Sequence, residues 1–236
     1  MSKICLINQP AGLGDIFFLQ KFVDLKISEG FEVIYPTIPS LIYVRDYIKK
    51  KGLGFFSMNE DFPYKGMIHN REIIREENFE YYPFNIADQF IGGSCMEAKY
   101  SFVKQDYSNW QQHFVWERNI EKENTLFYEV LGLKDNEEYC LISNVWGTPP
   151  TNNYRDVPTS GRYKEVKIEM IDGFTPFDWS KVIENAKEIS IVDTSFNYLI
   201  EKLDLKSQNL YLTSRFTPPN FSHIINLFKK NWIYQN

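Results

Sequence analysis

Lys3-Ile4-Cys5-Leu6-Ile7-Asn8-Gln9-Pro10-Ala11-Gly12-Leu13-Gly14-Asp15 is the stretch on which the fold turns. Its first half is short, apolar and rich in β-branched residues, the pattern of a strand buried on both faces. Gln9 to Gly14 then carries the proline and glycines of a turn. From Asp15 the period changes. Ile16, Leu19, Phe22, Val23 and Ile27 keep one apolar face of a helix, and Gly30 is placed to end it. Glu32-Val33-Ile34-Tyr35-Pro36 follows as a second strand, so the segment reads as a βαβ unit with parallel strands. Gly12 and Gly14 let the backbone approach a ligand at the strand's carboxyl end, beside the free N–H groups that open a helix. Phe17 stands where a dinucleotide-binding loop has its third glycine, and no Lys-Ser/Thr pair follows as in a P-loop. Asp15 reads equally as a first-turn helix residue and as a functional carboxylate.

Working outward, Ser40 to Lys51 is predicted helical, Gly54 to Met58 a strand, Tyr81 to Phe84 a short strand and Ala98 to Val103 part of a helix. Trp116 to Lys134 is predicted helical, ending in a Leu131-Gly132-Leu133 turn. Strands are expected at Glu138 to Ser143, Lys164 to Met170, Glu188 to Asp193 and Asn209 to Thr213, with helices at Asp178 to Ala186 and Thr194 to Leu203. The chain thus holds a strand–loop–helix–strand unit at each end. A boundary near residues 120–138 divides it into two Rossmann-like halves, 1–120 and 121–236; one continuous sheet carrying every strand is the alternative.

Composition narrows the function classes. The net charge of −5 comes without a basic run, which argues against a nucleic-acid partner. Lys49-Lys50-Lys51 reads as the solvated end of a helix. The 19 Phe, 15 Tyr and 5 Trp suit core packing first and stacking on sugars or bases second. Cys5, Cys95 and Cys140 are odd in number and far apart, which points to free thiols in a reducing, cytoplasmic setting. Neither a signal-peptide pattern nor a transmembrane segment is read from the sequence. His69, His113 and His223 are scattered without metal-ligand spacing. A Gly-x-Ser-x-Gly nucleophile elbow is missing. Trp146-Gly147 could stack on a base but reads first as packing, and Phe216-Thr217-Pro218-Pro219 as a turn.

A second polar turn, Val192-Asp193-Thr194-Ser195, lies between a predicted strand and helix. Its hydroxyls and backbone donors suit an anion such as a diphosphate; the plainer reading is a helix cap on Thr194 or Ser195.

Taken together, Ile4 to Asp15 and Ile189 to Leu203 resemble the two signature blocks of the GT-B-type glycosyltransferases, most closely the bacterial heptosyltransferase family. That resemblance implies an α/β fold of two Rossmann-like domains facing a central cleft, with the acceptor side in 1–120 and the nucleotide-sugar side in 121–236. It implies that Asp15 is the general base on the acceptor hydroxyl, with Gly12 and Gly14 shaping the acceptor loop. Asp193, Thr194 and Ser195 are implied to contact the donor's diphosphate and sugar. Family members often carry a histidine soon after the late turn; Asn197 and Tyr198 stand there in this chain. Arg155, Arg162 and Lys164 are candidates for the cationic contact to the leaving diphosphate. No Asp-x-Asp motif is available to hold a metal-bound nucleotide sugar, so the expectation is inverting, metal-independent transfer from a nucleotide-sugar co-substrate to a glycan, without a further cofactor. The alternative is a non-catalytic glycan- or nucleotide-binding module of the same fold. A nucleotide-utilising enzyme of another α/β class is disfavoured by the missing Walker and dinucleotide motifs.

Overall fold

A computed structural model describes residues 3–90, 95–147, 153–207 and 209–235. The chain forms two compact units, Met1–Glu117 and Arg118–Asn236, each with its own five-stranded sheet. The single continuous sheet does not form.

In the first unit β1 (Lys3–Ile7) leads through α1 (Leu13–Phe18) and α2 (Gln20–Ser28) to β2 (Phe31–Thr37), and through α3 (Val44–Tyr47) to β3 (Leu53–Ser57). The chain then crosses to the other side of β1, where β4 (Ile74–Arg75) and β5 (Phe79–Tyr82) lie. Strand order is β3-β2-β1-β5-β4, parallel except for the β4 edge, which runs antiparallel to β5. Cys5, Leu6 and Ile7 are wholly buried, as a strand covered on both faces requires. Next come α4 (Ala87–Phe90), α5 (Cys95–Phe102) and α6 (Trp110–His113). The aromatics go largely to the core. Phe18 meets Tyr100 and Trp110 edge-on, Phe22 meets Tyr82 and Phe84 likewise, and Phe17 stacks on Phe114 at 4.2 Å.

The second unit begins with α7 (Ile120–Asn124) and a wider helical turn at Thr125–Val130. β6 (Tyr139–Ser143) follows, then a two-stranded ribbon of β7 (Val145–Trp146) and β8 (Asn153–Tyr154), and β9 (Lys164–Lys167). α8 (Ser180–Asn185), β10 (Glu188–Val192), α9 (Phe196–Lys202), β11 (Asn209–Thr213) and β12 (Trp232–Gln235) complete it. Strand order is β12-β11-β10-β6-β9, all parallel.

Both sheets reverse direction of growth once. The first grows from β1 through β2 to β3 and then resumes at β5 on β1's other side. The second grows from β6 to β9 and resumes at β10 on β6's other side. Such switch points leave a crevice at the carboxyl ends of the two strands involved, where open α/β sheets bind ligands. The two polar turns sit there: Gly12 to Asp15 beyond β1, and Asp193 to Ser195 beyond β10.

Several expected helices are shorter than their periodicity suggests. Ser40 to Lys51 keeps only a 3-10 turn at Pro39–Leu41 and α3; the Tyr47 carbonyl accepts from Glu117 N at 2.8 Å. Within Lys49-Lys50-Lys51, Lys50 is not solvated but bonds Asp24 at 2.6 Å and the His113 carbonyl at 2.7 Å. Trp116 to Lys134 is helical only from Ile120, because Asn119 caps α7 by accepting from Lys122 N at 3.1 Å. Cys5 and Cys140 are buried free thiols, while the side chain of Cys95 lies outside the described residues. Among the described residues no helix is long and apolar enough to cross a membrane.

Candidate functional site

In the first unit the β1 switch point is built around Gly12. Its φ of +88° turns the chain from the strand into α1, and its carbonyl accepts the first helical bond from Ile16 N at 3.1 Å. Such a φ is open to glycine and strained for other residues. A Cβ on Gly12 would lie 2.0 Å from Asp15 Oδ2, so the glycine makes the space that this carboxylate occupies. Gly14, by contrast, lies within α1.

Asp15 is partly exposed, and its Oδ1 is 3.0 Å from Lys99 Nζ. Lys99, on α5, was not foreseen from the sequence. It is 3% exposed and also donates to Gln9 Oε1 at 2.9 Å and the Phe84 carbonyl at 3.3 Å. Gln9 in turn donates from Nε2 to the Ala11 carbonyl at 2.7 Å. Among the described residues nothing bonds Asp15 Oδ2. Beside this group, burial pushes the Tyr35 phenol well above its usual range, with the charge of Asp15 adding to the effect.

In the second unit Asp193 is 3% exposed at the end of β10. Its Oδ2 accepts from His223 Nε2 at 2.5 Å and lies 3.3 Å from Arg215 Nε. Phe216 joins them: the His223 ring meets it edge-on at 5.1 Å and the Arg215 guanidinium lies over it at 5.2 Å. A histidine therefore does reach this turn, but from 30 residues further along the chain than Asp193. Thr194 and Asn197 close the turn on itself, with Thr194 N donating to Asn197 Oδ1 at 2.8 Å and Phe196 N to Thr194 Oγ1 at 3.3 Å. The Ser195 hydroxyl is partly exposed and has no partner among the described residues. Three buried polar atoms around this sheet edge are also without a partner among the described residues: Asn144 Oδ1 after β6, Thr213 Oγ1 at the end of β11, and Asn197 Nδ2. Buried polar atoms are rarely left so, and hydroxyl or phosphate groups of a ligand would answer them.

The three cationic candidates part company. Arg155 reaches the carboxyl-end edge and is spent on the chain: its guanidinium donates to the carbonyls of Ser214 at 2.5 Å and Phe216 at 2.7 Å and to the Thr217 hydroxyl. It also lies over the Trp146 ring at 6.0 Å, so Trp146 packs on a side chain. Lys164 opens β9, in register with Tyr139 at the start of β6, and pairs there with Glu137 at 3.0 Å. Arg162 precedes it at the same amino-end edge, near Ser160, whose N–H donates to Glu188 at the start of β10. With about 3.3 Å per residue, that edge is roughly 17 Å along β10 from Asp193. Arg162 and Lys164 are thus not brought to the turn, because β9 runs parallel to β10 and starts at the far edge; Arg215 is the cation that stands beside Asp193.

Among the described residues no group of three or more His, Cys, Asp or Glu is arranged to hold a metal ion.

The amino-acid sequence matches no protein-family model and no curated protein. The fold does have counterparts. A glycosyl transferase family 9 structure from Veillonella parvula superposes with a TM-score of 0.52 at 13% identity, covering 99% of this chain and 86% of that one. The dodecameric iron-containing glycosyltransferase TibC from enterotoxigenic E. coli superposes with a TM-score of 0.50 at 8% identity. In its complex with ADP-D-beta-D-heptose, where it is described as a heptosyltransferase, the TM-score is 0.53, also at 8% identity. All of this chain is covered in those two matches, but only 63% of TibC's. The chain has the mixed α/β, parallel-sheet fold of these GT-B-like glycosyltransferases. The iron of TibC finds no counterpart cluster among the described residues.

Proposed function

We propose that this protein is a glycosyltransferase that moves a sugar from a nucleotide-diphosphate sugar to a hydroxyl of a glycan acceptor, inverting the anomeric centre and using no metal. The observation that carries the reading is Asp15: a carboxylate at the carboxyl end of a central parallel strand, anchored through Oδ1 and with Oδ2 left open over a glycine. In the proposed reaction Oδ2 takes the acceptor hydroxyl's proton as that oxygen attacks the anomeric carbon. The bond from the anomeric carbon to the diphosphate oxygen breaks on the opposite face, and a nucleoside diphosphate leaves. Its charge is met by Arg215, with Thr194 and Ser195 offering hydroxyls. Asp193 has an orienting part, holding Arg215 and His223. The buried Cys5 and Cys140 thiols agree with a cytoplasmic setting.

The test is transfer or donor hydrolysis by the purified protein across a panel of ADP-, UDP-, GDP-, CMP- and dTDP-sugars, ADP-sugars first because the TibC complex holds one. Turnover with at least one donor is expected. Asp15→Asn should lower it at least 10²-fold while leaving donor binding and folding intact, since the amide oxygen can still accept from Lys99. Normal turnover in that variant removes Asp15 from the mechanism. Glycan binding in calorimetry without any response to nucleoside diphosphates would instead favour the non-catalytic module.

A further inference from the structure

The proposed base does not stand alone, and what holds it is a buried lysine 84 residues away in the chain. An ammonium group as enclosed as that of Lys99 is costly unless its protons are all used. They are: three N–H bonds meet three acceptors, Gln9 Oε1 at 2.9 Å, Asp15 Oδ1 at 3.0 Å and the Phe84 carbonyl at 3.3 Å. Gln9 is itself fixed to the Ala11 carbonyl, next to Gly12, so the loop that carries Asp15 and the lysine that grips it are tied at both ends. We infer that Lys99 is the positioning residue for Asp15, clamping one carboxylate oxygen so that the other faces the acceptor hydroxyl. This inference rests on the glycosyltransferase reading for its chemistry but not for its geometry.

The physical argument is one of degrees of freedom. A carboxylate on a partly exposed side chain has a broad terminal torsion, and a base that rotates must be ordered again at each turnover. Bonding Oδ1 to a rigid, buried donor removes that freedom in advance, which is where oriented groups gain rate. Lys99 is too enclosed to touch substrate, so it acts through Asp15 alone. The other groups that bear on this carboxylate are Gln9 from the β1 loop, through Lys99, and the buried Tyr35 phenol from β2.

Lys99→Met removes the clamp, and Lys99→Gln keeps a neutral donor in the cavity for the case in which the methionine variant fails to fold. With the donor that the wild type uses, kcat should fall about 10- to 100-fold in Lys99→Met and less in Lys99→Gln, with donor KM within about twofold. A lysine that only fills space would leave kcat unchanged in every variant that folds, and that result overturns the inference. The second measurement needs no activity. Thermal midpoints of Lys99→Met or Lys99→Gln, of Asp15→Ala, which removes the acceptor altogether, and of the double variant form a cycle. The loss caused by replacing Lys99 should shrink by at least half in the Asp15→Ala background; additive losses say that the two side chains do not hold one another. If the wild type turns over no nucleotide sugar, the glycosyltransferase reading falls, and the cycle still decides whether Lys99 holds Asp15.

Discussion

At Gly12 two separate constraints meet, a φ of +88° and a vacancy that Asp15 Oδ2 fills 2.0 Å from where a Cβ would stand. Gly12→Ala violates both. The strained backbone should cost about 1–3 kcal/mol, and the methyl must drive the carboxylate off its position. We expect a lower urea midpoint together with a loss of transfer as deep as that of Asp15→Asn. A variant that is destabilised yet fully active would show that the carboxylate's place does not matter. Gly12 and Asp15 were legible in the sequence because a glycine-rich turn after an apolar strand is a local signal. Lys99, Arg215 and His223 were not. Each reaches its carboxylate across 84, 22 or 30 residues of chain, as Lys99 to Asp15, Arg215 to Asp193 and His223 to Asp193. Nothing in their own neighbourhoods distinguishes them from surface charge. Arg162 and Lys164 lie away from the Asp193 turn for a related reason: where they stand depends on the direction and register of β9, which pairing with β6 decides.

Elements with both faces buried were read well and those held by single contacts were not. β1, β6, β10 and β11 announce themselves as apolar runs that parallel sheets demand. β12 does not, since Trp232-Ile233-Tyr234-Gln235 follows Lys229-Lys230-Asn231 and alternates only weakly. Its anchor is one carboxylate on α9. Glu201 accepts from Trp232 Nε1 at 2.7 Å and from the backbone N–H groups of Lys229 at 2.8 Å and Lys230 at 3.2 Å. Glu201→Ala would leave the buried indole N–H and two chain donors without their acceptor, at a cost of about 2–4 kcal/mol. Glu201→Gln, which keeps one carbonyl oxygen, should lose less. Hydrogen exchange reads the same point locally: protection across β12 should fall in Glu201→Ala while that of β1 is unchanged. Equal exchange in the two proteins would mean that the parallel pairing with β11 alone holds the strand.

At the scale of the whole chain, the two units repeat one physical solution: a parallel sheet, one reversal of growth, and a polar turn at the reversal. Their turns differ in charge logic. The first presents a carboxylate with an open oxygen, suited to taking a proton. The second presents a carboxylate already engaged by Arg215 and His223, with Asn144, Thr213 and Asn197 atoms nearby that have no partner among the described residues, suited to receiving an anion and its hydroxyls. That division assigns nucleotide recognition to the second unit by itself. Its size is that of an ordinary domain, and its sheet is completed by its own five strands. The fragment 118–236 should therefore unfold cooperatively in urea and bind a nucleoside diphosphate, measured by calorimetry, within about tenfold of the full chain's affinity. Arg215→Ala in that fragment should weaken binding by about tenfold or more, the scale of a charged hydrogen bond. A folded fragment that ignores nucleoside diphosphates, where the full chain binds them, would put the determinants of donor recognition in 1–117 as well and break the assignment of one substrate to each turn.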